Sequence, residues 1–273
     1  MANEAIPMRP VLWMGRVRPL LTEAGLLLAL FAVYKFGRQL VDGGVGAAMA
    51  NAKAVWDTER AMALPDEIWI QDFVLSWEPA AFLANLYYVG VHFPATALLL
   101  VWLWVRHPAA YTRVRNELVV LTAAGMAVHM LYPLAPPRLA GLGMTDTMLS
   151  VGPSAYPAAA DGFANQYAAM PSLHVGWALL VALAVLRVSP SPWRWVLALH
   201  APVTVLVVVV TANHYWLDGM VAAALLGGTV LVVALARRRG PVPAEAVPVR
   251  LVPAEQPVEG PEVVSRERER VPA

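Results

Sequence analysis

The chain has 273 residues, 59% of them hydrophobic and only 14% charged, with a formal net charge of +1. A soluble domain carries about 25% charged residues, so this composition describes a polytopic membrane protein, and the small net charge excludes the basic face that a nucleic acid needs. The lack of cysteine excludes disulfides, thiolate metal sites and a cysteine nucleophile.

Crossing the hydrocarbon core takes about 20 mostly apolar residues. Six stretches qualify: roughly 19–36, 80–104, 117–134, 171–188, 195–212 and 216–236. The first carries Glu23, lies too far in for a signal peptide and lacks a small-residue cleavage site, so a retained helix is expected. The expected fold is all-α: a bundle of six transmembrane helices with an outward interfacial helical segment. It forms one membrane domain, 1–239, whose motif-bearing core is about 80–236.

Arginine and lysine orient the bundle. Arg9, Arg16, Arg18, Arg106, Arg113, Arg115, Arg187, Arg194, Arg237, Arg238 and Arg239 fall on one set of loops and flanks. The alternate set holds Lys35, Arg38, Lys53, Arg60 and Arg138. Eleven against five, in alternation, places both termini in the cytoplasm of a multi-pass cell-membrane protein.

Two long segments then face outward. Residues 40–79 carry Trp56, Trp69 and Trp77 among mixed charges, which suits one or two helices lying at the interface. Residues 135–170 are rich in Pro, Gly and Ala, with Asp146 and Asp161, and read as an irregular loop. The end of the chain, 240–273, has no apolar periodicity and reads as a disordered cytoplasmic tail.

Ionisable groups inside apolar helices are expensive, so their positions are informative. Three clusters stand out: YPLAPPR at 132–138, MPSLH at 170–174 and ANHYWLD at 212–218. They are remote in sequence, yet the alternating topology brings all three to the outer membrane face.

Arg138 offers a planar fork of donors suited to phosphate, or else it snorkels to lipid headgroups. Pro171 fits the first position of a helix, with Ser172 and His174 in the opening turn. There Ser172 either caps the helix or joins its free N–H groups in holding an anion, and His174 can deliver a proton to a leaving oxygen. His214 and Asp218 are four apart, on one helical face, so the carboxylate can orient the imidazole and make its other nitrogen nucleophilic. A structural His–Asp pair has the same spacing. Zinc held by two histidines and an aspartate is disfavoured, because the spacing is not that of helical zinc-protease ligands and Arg138 would repel a cation.

APPR, NQYAAMPSLH and HYWLD, in this order at helix ends over about residues 80–236, resemble the type 2 phosphatidic acid phosphatase superfamily. The branch of closest likeness is the inositol phosphorylceramide synthase-like phosphotransferases. The resemblance implies a lipid phosphatase or phosphotransferase that needs no metal or cofactor. His214 would take the phosphoryl or phosphodiester group as a phosphohistidine, and Asp218 would orient it. His174 would act as acid and then base, while Arg138 and Ser172 would bind phosphate.

The chain departs from the superfamily pattern. Of the Lys and Arg that precede the proline of its first motif only Arg138 is evident, and VVVVTAN stands where the third motif carries Ser-Arg. PSLH also replaces PSGH. Fewer cations favour a less charged group such as a diester, or cations supplied by Arg60 and Lys53.

Asn165, Gln166, Tyr167 and Asn213 are further substrate-binding candidates. Asn85, Tyr87, Tyr88 and His92 could line a lipid groove from the site, although interhelical pins are the preferred reading, and His129 and His200 read as packing residues. The expected substrate is a membrane lipid phosphate or polyprenyl phosphate, and the expected acceptor is water or a polyol. Nothing in the residues sets an oligomeric state. The rival reading is a lipid-binding or lipid-transporting protein without catalysis, whereas a channel would place ionisable groups deep in several spans.

Overall fold

The computed structural model describes residues 44–155 and 166–239, with Thr22, Glu23, Gly25, Ala29 and Ala32 of the preceding stretch, which are helical. Most of the expected first span and the expected tail at 240–273 lie outside the described residues. Among the described residues the protein is all-helical apart from one isolated bridge, and the elements are α1 (Gly44–Ala61), α2 (Glu67–Leu75), α3 (Ala80–Gly90), α4 (His92–Arg106), α5 (Pro108–Leu131), α6 (Pro137–Ala140), α7 (Thr147–Ser150), α8 (Leu173–Val188), α9 (Trp193–Ala198), α10 (His200–Val210) and α11 (Trp216–Arg239).

Among the described residues four helical stretches are long and apolar enough to cross a membrane: Ala80–Arg106, Pro108–Leu131, Trp193–Val210 and Trp216–Arg238. Two of them are interrupted, and proline supplies the reason. Pro94 cannot donate to the carbonyl four residues back, so the chain turns at Val91 between α3 and α4; Pro202 does the same at Leu199, between α9 and α10. The expected fourth span is shorter than its sequence suggested. Ser172 has extended backbone (φ −70°, ψ 101°) and accepts from the Val175 N–H, so α8 begins at Leu173 and Pro171 lies before the cap, not at the first helical position. At about 1.5 Å per residue, its 16 residues fall short of the hydrocarbon thickness.

The third span also begins earlier than expected. Pro108 opens α5 with its missing N–H where none is needed, so Arg113 and Arg115 sit on the helix and not in a loop. Arg113 reaches Glu117, and Arg115 reaches Glu23 and Asn116. Segment 40–79 holds two helices. Within 135–170, read as irregular, two short helices form instead: Asp146 caps α7 by accepting from Met148 and Leu149 N–H, each at 3.0 Å.

Helix α8 is central and packs against α4, α5, α9 and α10. Its core partners are Leu99, Leu103, Leu121 and Leu226, which meet Leu180 and Val181. The outer faces carry exposed Leu98, Val105, Leu206, Leu231 and Val232, as a bundle solvated by lipid requires. At Gly125 a Cβ would sit 2.6 Å from a Leu173 methyl, so glycine is what lets α5 approach the start of α8.

Candidate active site

Backbone hydrogen bonds stitch the three motif segments together. Leu134 N–H donates to the Tyr167 carbonyl at 2.8 Å, and Ala169 N–H returns to the Leu134 carbonyl at 3.2 Å. Arg138 N–H donates to the Ala212 carbonyl at 2.9 Å, and Ser172 N–H to the Asp218 carbonyl at 3.1 Å. The turn carrying the third motif is tight because Ala212 is left-handed (φ 53°), which sends both the Asn213 and His214 N–H groups back to the Val208 carbonyl.

His214 lies in that turn, ahead of α11, and not on the helix as its spacing from Asp218 suggested. The contact forms all the same, because Asp218 is in the first turn and reaches backward. Its Oδ2 stands 3.2 Å from His214 Nδ1 and accepts the Tyr215 N–H at 2.9 Å. His214 Nδ1 is also 2.8 Å from the Ala169 carbonyl. A carbonyl can only accept, so Nδ1 carries the proton and Nε2 of the neutral ring keeps its lone pair.

His214 lines a cavity of about 680 Å³ whose wall is mainly apolar. His174 lines it too, with ring centroids 6.0 Å from those of His214. The His174 ring stacks on Tyr88 at 4.2 Å and meets a tilted His92 ring at 4.6 Å, and its Nε2 is buried with no hydrogen-bond partner among the described residues. His129 stands on the same wall, its Nε2 donating to the Pro171 carbonyl at 3.0 Å. The Nδ1 atoms of His92 and His129 are likewise buried and without partners among the described residues.

The Arg138 side chain is 4% exposed and sits behind the wall, not on it. Its guanidinium donates to Asn213 Oδ1 at 3.2 Å and, more weakly, to Asp146 and Gln166, each at 3.4 Å. Gln166 and Asn213 themselves face the cavity. Ser172 is buried, caps α8 and is not part of the wall. Tyr167 packs with Ala48, Leu134 and Tyr215 away from the cavity, and Asn165 lies outside the described residues.

Arg60 and Lys53, the two cations expected to assist, are paired elsewhere among the described residues. Arg60 pairs with Glu67 and Asp66 and lies over the Trp56 ring, and Lys53 pairs with Asp57 at the surface. Each is neutralised by a nearby carboxylate in its own segment, and neither borders the cavity.

Residues read as pins or packing divide in two. Tyr87 does pin helices, through His200 and Thr204, and Asn85 ties α3 to the Thr147 and Gly152 carbonyls. Tyr88, His92 and His129 instead form the cavity wall. The signal for them was their polarity inside apolar spans, a sign of function wherever an ionisable group is buried in a membrane.

Among the described residues this apolar helical bundle gathers four imidazoles, His92, His129, His174 and His214, around one chamber. The sequence profile of the PAP2 superfamily matches residues 53–232, and the chain belongs to that superfamily of membrane lipid-phosphate phosphatases and phosphotransferases. No curated protein and no solved structure matches it.

Proposed function

We propose that the protein cleaves a lipid-linked phosphoester at the outer face of the membrane, without a metal, through a phosphohistidine on His214. The observation that carries this reading is the double anchorage of His214 Nδ1 by the Ala169 carbonyl and Asp218, which leaves Nε2 as the basic nitrogen beside the cavity.

In the first step the Nε2 lone pair forms a bond to phosphorus while the bond from phosphorus to the lipid oxygen breaks, and His174 gives its proton to that oxygen. In the second, the oxygen of water or an alcohol attacks phosphorus, His174 takes its proton, and the P–N bond breaks. The Asp218 carboxylate stabilises the positive charge that the His214 ring acquires. Arg138 balances the phosphate charge by exchanging its weak contacts to Asp146 and Gln166 for phosphate oxygens. A single guanidinium beside the site among the described residues suits a phosphodiester, which supports the inositolphosphotransferase-like reading over a monoester phosphatase. The apolar wall suits an acyl or polyprenyl chain.

The test is rapid quenching of turnover with a lipid labelled at phosphorus, in excess chelator. An acid-labile, alkali-stable label on the wild-type chain, missing from His214→Ala, is expected. Lipid bound but never cleaved would instead favour a binding or transporting protein. Adding a polyol and separating products distinguishes transfer from hydrolysis.

A further inference from the structure

The stretch from Glu59 to Glu67 takes no part in the reaction above, yet it grips the head of α11 at two points. Trp216 donates its indole N–H to the Pro65 carbonyl at 2.8 Å, and the Leu217 N–H donates to Glu59 Oε1 at 2.7 Å. The second donor is a first-turn N–H with no carbonyl partner inside its helix, and the next residue is Asp218.

Glu59 and Glu67 are both fully buried, at 0% exposure. The Arg60 guanidinium binds Glu67 and the exposed Asp66, and among the described residues no ion pair reaches Glu59. Two oxygens are left over: Glu59 Oε2 and Glu67 Oε1 are buried without a donor, although the two side chains are hydrogen-bonding neighbours. Two bare carboxylate oxygens repel each other, whereas one proton between them satisfies both.

We propose that Glu59 is a positioning residue that acts as a neutral carboxylic acid: its hydroxyl donates to Glu67 while its carbonyl oxygen holds the Leu217 N–H, fixing the turn from which Asp218 orients His214. The activity readout of this proposal rests on the roles given above to His214 and Asp218; the protonation state does not. The groups facing Glu59 are Glu67 on α2, Arg60 on its own helix, and Tyr215 and Asp218 at the head of α11. Burial, then the hydrogen bond with Glu67, push the Glu59 carboxyl up to about 9. Above that pH the proton bridge to Glu67 is lost and a new negative charge faces Glu67 and Asp218, so repulsion displaces the turn that Glu59 holds.

The experiment compares Glu59→Gln, which keeps a carbonyl and a donor, with Glu59→Ala, which keeps neither, in the full chain in detergent. Turnover of a lipid phosphate is followed across pH, and the carboxylic-acid C=O band is followed by infrared spectroscopy. E59Q is expected to hold the wild-type kcat at neutral pH within about twofold and to lose the alkaline fall. E59A is expected to lose about tenfold or more in kcat with KM little changed. Wild type at mildly alkaline pH is expected to show a protonated-carboxyl band that E59Q removes. Impairment of E59Q equal to that of E59A overturns the proposal, and so does an infrared spectrum unchanged by E59Q. Should no variant, nor the wild type, turn over lipid phosphate, the mechanism above fails while the infrared band alone decides the state of Glu59.

Discussion

Two buried carboxylates mark the two ends of α8 and have opposite companions. Glu117 meets the C-terminal end, with Arg113 Nε at 2.9 Å and Arg187 Nη1 at 3.6 Å. Asp218 meets the N-terminal end, where among the described residues its only ion-pair partner is His214. Both are 0% exposed. A carboxylate between two guanidiniums is permanently neutralised and ties helices together. One hydrogen-bonded to an imidazole and a peptide N–H gains whenever that ring takes on positive charge, as the reaction proposed above requires of it. Burial is the same at the two ends, and the partner decides the role.

If that contrast holds, substitutions at the two ends will differ in kind. His214→Ala is expected to lower lipid-phosphate turnover at least about a thousandfold while circular dichroism and melting stay near wild type. Asp218→Asn keeps the shape but not the charge, and should cost about 10²–10⁴ in kcat, measured in the same assay. Glu117→Gln should do the reverse: a stability loss of about 1–2 kcal/mol by denaturant titration, small because both arginines stay partly solvated, with kcat within about twofold. Gly125→Ala crowds Leu173 at the start of α8 and should cost about 1 kcal/mol with a modest fall in turnover.

Glu59 is a third buried carboxyl and extends the rule, since its neighbour is another carboxyl group. Its folded pKa, about 9, lies above the ordinary 4.5, so between those values the folded state holds a proton that the unfolded state has released. Stability therefore falls as pH rises through that window and levels off above it. Melting temperature against pH should show this decline in the wild type and a flatter line in Glu59→Gln; equal slopes would remove the buried acid from the account.

The three motifs were legible because polar residues in apolar helices are rare enough to be read one by one, and backbone hydrogen bonds do hold their segments together. The His214–Asp218 contact was legible too, but for a reason that did not apply: the spacing implied one helical face, and the contact comes from a turn folding onto a first-turn side chain. His92 and His129 were not placed, because sequence shows that a histidine lies in a span without showing whether it faces a neighbouring helix or a void. Glu59 and Glu67 were hidden by their setting. A segment with Lys53, Asp57, Arg60 and Asp66 reads as solvated charge, and only the packing of α1 and α2 against the head of α11 shows which carboxyls are dry. The prolines at 94 and 202 were visible, but a hydropathy window averages across the breaks they cause.

The closest anchor on the His214 ring is a main-chain oxygen, that of Ala169, so no change of side chain can delete it. Evolution is then free to rebuild the chamber. Phe93, Leu173 and Trp177 can shrink or swell to fit a different tail while the ring keeps its aim. Substrate preference can drift in such a scaffold without the chemistry being reinvented, because aim and appetite are written in different parts of the chain.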